Sequence, residues 1–343
     1  MVGKVRWLLV GPGDISQKRA APALAAAANS QLVGVVYNTR REQAQALADK
    51  FGARQVFGDF PDALAKSDAD AVYLATPVWL HRPQAVQALE SGRHVLVEKP
   101  LGLNAADCAA IVAAADRTGR TAACAYYRRC YPRYRHAAEA IAKGELGRIV
   151  QVRMSWQCWY DPQPADPKYW RVVLRKSGGG PLMDIGSHML DLMVGLFGLP
   201  ASVCGWCGNM VHHWDVEDCA SVFMTLANGA HAVASVNWNS KTWRHEFEIV
   251  GAEARLHWPA CDGGPVVKTV GREVTEIDMP NAGNVHLPLV QDFVDAVREG
   301  RAPVCPVQEA AKTNVLLDAI YASAAEGREL RASNKMPREP RYA

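Results

Sequence analysis

The chain has 343 residues, 49% of them hydrophobic, and a formal net charge of +3, which suits two globular domains with a core each. No Lys- and Arg-rich run is interleaved with aromatics, so the chain carries no nucleic-acid footprint, and no apolar run approaches the length that spans a membrane. Nine cysteines without a regular framework exclude a disulfide scaffold. A first strand beginning by Val5 leaves no room for a signal peptide, and together these features point to a soluble cytoplasmic protein with a small-molecule partner.

The first element is an apolar strand, Val5–Val10, that runs into Gly11-Pro12-Gly13 and then a helix near Ile15–Ala28. In such a loop Gly11 permits the tight turn and Gly13 lets a pyrophosphate approach the backbone. Asp14, Ile15 and Ser16 open the helix, whose first amides and dipole favour an anion. Ser16 stands where a third glycine or alanine belongs, and a small residue still permits close helix-strand packing. Further apolar runs at Leu32–Val36, Ala71–Leu74, His94–Val97 and Thr121–Ala123 alternate with helices near Arg41–Phe51 and Pro83–Glu90. Asn104 and Asp107 can cap another helix that stops at Gly119. This alternation predicts an α/β domain with a parallel, doubly wound sheet and right-handed crossovers.

At the end of the second strand lie Asn38, Thr39, Arg40 and Arg41, with no carboxylate among them. An acid there would hold the 2′-hydroxyl of an adenosine ribose and repel a 2′-phosphate, whereas these side chains donate hydrogen bonds and positive charge. The pattern favours NADP, with NAD as the alternative. Ala75-Thr76-Pro77 with His81, and Glu98-Lys99-Pro100, follow two later strands at their carboxyl ends, where ligands bind in open α/β sheets.

After Tyr126 the pattern changes to longer strands and irregular loops, which divides the chain into residues 1–126 and 127–343. Tyr127 and Arg128 precede a helix near Arg133–Lys143. A strand at Ile149–Trp156 leads to a loop rich in aromatic and basic residues, including Tyr160, Trp170 and Arg171. From Ser177-Gly178-Gly179-Gly180 the chain enters a helix whose Ile185, Met189, Leu192, Met193 and Leu196 form an apolar stripe. Asp184, His188 and Asp191 fall on the adjacent face. A lone histidine there serves packing as readily as chemistry, and a carboxylate one turn earlier favours chemistry. Cys204 and Cys207 form the one CxxC pair, but no second ligand pair accompanies them, so strand-embedded thiols are expected and no metal site. Val216-Glu217-Asp218 opens a run of strands through about Trp258, with Asn228-Gly229 as a hairpin turn and Gly251 before another strand. A helix near Gln308–Ala325 follows, and the last dozen or so residues read as a surface tail.

In this order and spacing the segments Gly11 to Ser16, Ala75-Thr76-Pro77 with His81, Glu98-Lys99-Pro100 and Asp184-Ile185-Gly186-Ser187-His188 resemble the Gfo/Idh/MocA family of pyridine-nucleotide sugar and polyol dehydrogenases. The resemblance covers nearly the whole chain. It implies a C-terminal α/β domain with a large, mostly antiparallel open sheet, and a proton-handling set of Lys99, Asp184 and His188. Thr76, Pro77 and Glu98 would line the nicotinamide side of the cofactor cleft.

The activity so implied is hydride transfer between nicotinamide and a secondary hydroxyl or ketone of a sugar, polyol or related cyclic alcohol. His188 is the candidate base, Lys99 stabilises developing alkoxide character, and Asp184 orients His188 or holds a substrate hydroxyl. Tyr127, Arg128, Tyr160, Trp170 and Arg171 are candidate substrate contacts. Aromatic faces suit sugar rings, and the arginines would also accept an acidic derivative. Keto-sugar or anhydrofructose reduction, dihydrodiol oxidation, glycoside cleavage with retained NAD and a non-catalytic nicotinamide sensor are the alternatives. An open sheet leaves a face to cover, so a homo-oligomer, dimer or tetramer, is expected.

Overall fold

The computed structural model describes residues 3–331; the C-terminal tail expected from the sequence lies outside the described residues. The first run of the chain alternates strand and helix: β1 (Val5–Val10), a π-helical turn (Ser16–Ala20) continuing as α1 (Ala21–Ala26), β2 (Ser30–Val36), α2 (Arg41–Phe51), β3 (Gln55–Phe57) and α3 (Phe60–Lys66). It continues with β4 (Ala71–Leu74), α4 (His81–Glu90), β5 (His94–Val97), α5 (Ala105–Thr118) and β6 (Ala122–Cys124). The strands form a six-stranded sheet in the order β3-β2-β1-β4-β5-β6, every neighbouring pair parallel. β4 is buried throughout its AVYL sequence, as a strand covered by helices on both faces must be. The strand order reverses between β1 and β4, the kind of switch point at whose carboxyl ends ligands bind in open α/β sheets.

The second run builds a different sheet. After α6 (Pro132–Ala142) come β7 (Ile149–Trp159), the single turn α7 (Leu174–Ser177), and a π-helical turn (Leu182–Gly186) that continues as α8 (Ser187–Phe197). Seven strands follow: β8 (Ser202–Gly208), β9 (Cys219–Thr225), β10 (His231–Asn237), β11 (Asn239–Gly251), β12 (Ala254–Trp258), β13 (Val266–Val270) and β14 (Glu273–Ile277). The eight-stranded sheet runs β14-β13-β12-β11-β7-β10-β9-β8, antiparallel except where β10 lies parallel to β7. Alternation sets its faces: Ala220, Val222 and Met224 of β9 and Ala232, Ala234 and Val236 of β10 join Met189, Leu192 and Met193 of α8 in one core, while Phe223 and Trp206 stay exposed. Cys204 and Cys207, three apart on β8, therefore point to opposite faces, and all nine cysteines are thiols outside any disulfide.

The chain then forms α9 (Leu287–Glu299) and α10 (Val307–Glu326). Two compact units result: one runs up to Gly102 and takes in Ala106–Cys130 and Ala282–Ala311, and the other holds Leu103–Ala105, Tyr131–Asn281 and the stretch from Lys312 onward. Helix α9 thus belongs with the parallel sheet. Phe293 is fully buried with its ring 5.2 Å from that of Trp7 in β1, and the Gln291 side chain accepts a hydrogen bond from the Ala28 amide. Several of these elements have no counterpart in the sequence reading: β3 and α3, the outer strands β13 and β14, and α9. Among the described residues no helix is long and apolar enough to cross a membrane.

Phe293→Ala should destabilise the first unit by about 3–5 kcal/mol through the cavity it leaves against Trp7. Thermal melting and amide exchange in β1 measure this, and an unchanged β1 would disprove the role given to α9.

Candidate functional site

In the unit of the parallel sheet, the loop after β1 is shaped by contacts with the loop after β4. Gly11 has φ +91°, and a Cβ there would lie 3.0 Å from the Ala75 carbonyl oxygen, so only glycine fits. A Cβ on Gly13 would meet nothing within 4 Å, which leaves its backbone open to an approaching group. Ser16 is fully buried and donates from Oγ to the Gly11 carbonyl at 2.5 Å, so it ties the helix start to the loop as well as filling the small-residue position. Asp14 is exposed and pairs with Lys18 at 2.7 Å, and Ile15 is half-buried. Asn38, Thr39, Arg40 and Arg41 are all exposed just past β2, outside the core.

The loops after β4 and β5 are braced from below by two buried histidines. His81 is 1% exposed, with Nε2 2.8 Å from the Thr76 carbonyl and Nδ1 2.9 Å from that of Pro100. Burial pushes its pKa down against the pull of these carbonyls. His81 therefore acts as a strut between the loops, while Thr76 Oγ1 donates to Gln84 Oε1 at 2.7 Å and Pro77 caps the short helical turn at Val78–Leu80. Glu98 is also inside: it accepts from Tyr73 Oη at 2.8 Å, from His286 Nε2 at 3.2 Å and from the Lys99 amide at 3.3 Å. Burial alone would raise its carboxyl; His286, Tyr73 and the charge of Lys99 outweigh burial and hold it below the usual range. Lys99 is half-buried between two buried neighbours, Glu98 and Pro100. Tyr127 and Arg128, expected at the substrate, are 6% and 2% exposed. The Tyr127 ring lies 4.8 Å from His286, and the guanidinium groups of Arg19 and Arg128 each stand 5.4 Å from its centroid.

In the other unit Asp184 falls in the π-helical turn ahead of α8, and His188 in the first turn of α8, 3% exposed. Ser187 Oγ donates to the Asp184 carbonyl at 2.9 Å. The Asp184 carboxylate faces Arg171, Oδ2 to Nη1 at 3.4 Å, with both side chains partly exposed. The Arg171 guanidinium also lies 5.7 Å from the ring centroid of Trp170, within the range where a cation is attracted to an aromatic face. Tyr160 donates to the Lys168 carbonyl at 3.1 Å and packs 4.7 Å from Trp238; burial pushes its phenol up to about 12. These rings join Val172, Val216, Tyr169, Leu174 and Trp214 in a cluster of their own. Arg171, Asp184, Tyr160 and Trp170 are thus gathered within one unit, with Trp238 as a wall that the sequence reading does not single out.

Family models match both parts of the chain: residues 5–126 match the NAD-binding Rossmann fold of an oxidoreductase family, and residues 134–257 the GFO/IDH/MocA C-terminal domain. The chain belongs to the Gfo/Idh/MocA oxidoreductase family. It is 27% identical over 329 residues to dTDP-3,4-didehydro-2,6-dideoxy-alpha-D-glucose 3-reductase of Actinomadura kijaniata, covering 93% of this chain and 96% of that one. It is 28% identical over 331 residues to D-xylose 1-dehydrogenase (NADP(+)) 2 of Haloferax volcanii, covering 93% and 97%. Among solved structures, the WlbA dehydrogenase of Bordetella pertussis in complex with NADH and UDP-GlcNAcA superposes with a TM-score of 0.84 at 26% identity, covering 98% and 100%.

As a Gfo/Idh/MocA oxidoreductase, the protein needs a place for a pyridine nucleotide, and its parallel-sheet unit fits one. The open backbone at Gly13 and the amides that begin the following helix would cradle its phosphates, and the polar quartet after β2 would meet the adenosine ribose. Among the described residues no group of three or more His, Cys, Asp and Glu side chains could hold a metal ion. Two residues beneath the site escape the sequence reading. Tyr73 carries the only polar tip in the buried strand β4, a hint that it reaches a partner. His286 stands 188 residues from Glu98, and no local pattern connects them.

Because the fold lowers the Glu98 pKa, the stability this carboxylate contributes is present above the ordinary carboxylate pKa and drains away as pH falls through the lowered value. His286→Ala, which removes one of three donors from a buried carboxylate, should cost about 1–3 kcal/mol at neutral pH. Melting curves between neutral and acid pH test both statements, and a variant as stable as the parent would refute the bracing role.

Proposed function

We propose that this oxidoreductase transfers a hydride between a pyridine nucleotide and a carbon bearing a secondary hydroxyl, or the corresponding ketone, of a sugar, polyol or related cyclic alcohol. The observation that carries the reading is Lys99, a half-buried cation on a turn fixed by the His81 and Glu98 struts at the carboxyl end of β5. The names of full-length relatives that act on sugars support the substrate class.

A bound nicotinamide supplies the hydride acceptor or donor. In the oxidative direction the substrate loses a hydride from carbon and a proton from oxygen, and its C–O bond becomes C=O. His188 takes the proton, Lys99 offsets charge on the reacting oxygen, and Asp184 with Arg171 orients the substrate or the base. Residues 1–126 supply the dinucleotide contacts Gly11, Gly13, Asp14, Ile15, Ser16, Asn38, Thr39, Arg40, Arg41, Thr76 and Pro77. Residues 127–343 supply the substrate side with Tyr160, Trp170 and Arg171. His81, Glu98, Tyr127 and Arg128 act from beneath, by holding neighbouring loops in place.

NADP is the favoured cofactor, because four exposed polar or cationic side chains follow β2 with no acid among them. Nine thiols with no disulfide among them support a reducing compartment, the cytoplasm. The exposed Trp206 and Phe223 on one face of the eight-stranded sheet support a homo-oligomer.

The experiment that tests the reading follows absorbance of reduced nicotinamide with NAD⁺ and NADP⁺ in parallel over sugars, inositols, sugar acids and dihydrodiols. One substrate class should respond; silence with every class, and with keto-sugars in the reverse direction, would overturn it. Lys99→Ala and His188→Ala should each lower turnover by about 10²–10⁴-fold with dinucleotide affinity kept, and an active double variant would remove the proton-handling assignment. Arg40→Ala with Arg41→Ala should weaken NADPH far more than NADH in titrations of each, whereas equal weakening would remove the cofactor preference.

A further inference from the structure

The run Ser177-Gly178-Gly179-Gly180 looks like a flexible hinge before the helix that carries Asp184 and His188. Its surroundings say the opposite. A Cβ on Gly180 would stand 1.9 Å from the Glu217 carbonyl oxygen, and one on Gly179 would stand 1.9 Å from the Tyr321 hydroxyl. Two of the glycines are therefore required by close approach: the turn is pressed onto Glu217 and Tyr321.

The Glu217 carboxylate meets that turn from inside. It is 8% exposed. Oε2 accepts the Gly180 amide at 2.9 Å, and Oε1 accepts the Leu182 amide at 3.2 Å and the Tyr321 hydroxyl at 2.9 Å. The first amides of a helix have no partner within it, and a negative charge beside them also meets the positive end of the helix dipole. Glu217 is thus the cap of the helical run that begins at Pro181, supplied from a residue outside that run. The next residue, Asp218, turns the other way and accepts the amides of Met210, Val211 and His212. The Glu217-Asp218 pair ahead of β9 therefore fixes two loops at once, one through each carboxylate.

We propose that Glu217 is a positioning residue of the reaction, which sets the angle and depth at which the helix presents Asp184 and His188, with Tyr321 completing the clamp. The inference rests on the oxidoreductase reading above and deepens it. Asp184 lies only two residues past Leu182, whose amide Glu217 holds, and Asp184 in turn meets Arg171. A change at the clamp reaches the reacting groups through one turn of backbone, whereas the dinucleotide loop lies in the other unit.

The test uses Glu217→Gln, Tyr321→Phe and the double variant of the full chain. Gln keeps the volume but leaves one acceptor where the carboxylate had two, and Phe removes only the hydroxyl. Glu217→Gln should lower kcat by about 10–100-fold, with the NADPH dissociation constant little changed. Tyr321→Phe should have a smaller effect in the same direction, and the double variant should fall short of the product, because both changes act on one carboxylate. The His188 imidazole, assigned with His188→Gln, should also shift its NMR titration in Glu217→Gln. That readout needs no substrate, so it separates a failure of this inference from a failure of the functional reading. Unchanged kcat, an unshifted His188 titration, or loss of NADPH binding in step with kcat would each overturn the positioning role. If Glu217→Gln does not fold, Tyr321→Phe with normal kcat and an unshifted His188 titration overturns it alone.

Discussion

A carboxylate stays ionised inside a protein only where donors replace the water it has lost. At Glu98 these donors come from three places: a strand residue beside it, Tyr73; the amide of the next residue, Lys99; and a side chain from the distal return of the chain, His286. The arrangement makes the turn at Lys99 depend on the packing of the parallel sheet and of α9 together. Since the ring of His286 also lies against Tyr127, the same few buried groups set the floor beneath the loops after β4, β5 and β6. The half-buried Lys99 is held in place by groups that are buried.

The two units solve the same problem in parallel ways. Each carries the groups proposed for function at the start of a helix, and in each that helix begins with a π-helical turn, Ser16–Ala20 in one and Leu182–Gly186 in the other. Such wide turns concentrate at functional sites. In both, a serine side chain closes onto a nearby carbonyl, Ser16 onto Gly11 and Ser187 onto Asp184. The helix start is thereby fixed by side-chain bonds where the regular backbone ladder is interrupted.

Much of this was legible in the sequence wherever a pattern was local. The buried strands of the parallel sheet show as apolar runs because both their faces are covered, and Arg41–Phe51 is bounded by Gly52 in the left-handed conformation. Elements without an apolar signature were not: β3 has three residues, and most of β14 is exposed, so neither carries a periodic stripe. Helix α9 does carry one, with Leu289, Val290, Phe293 and Val294 buried, and its spacing was available to be read. For the proposed site, the family resemblance singled out Lys99, Asp184 and His188. It could not tell that His81 and Glu98 face inward, because a polar residue beside a ligand loop looks the same whether it meets the ligand or braces the loop. His286 and Glu217 were hidden for a different reason: their bonds join residues that only the folded chain brings together.

The return of Ala282–Ala311 to the parallel-sheet unit also orders events during synthesis. All six strands of that sheet leave the ribosome by Cys124, yet Trp7 lacks Phe293, and Glu98 lacks a histidine that emerges 188 residues later. Domains that fold as they emerge usually finish from the N-terminus onward. Here the N-terminal unit must wait, its last apolar face and its buried carboxylate uncovered, while the whole second sheet is translated. Arrival of His286, and not completion of the six strands, is therefore the moment at which Glu98 can gain the last of its three donors.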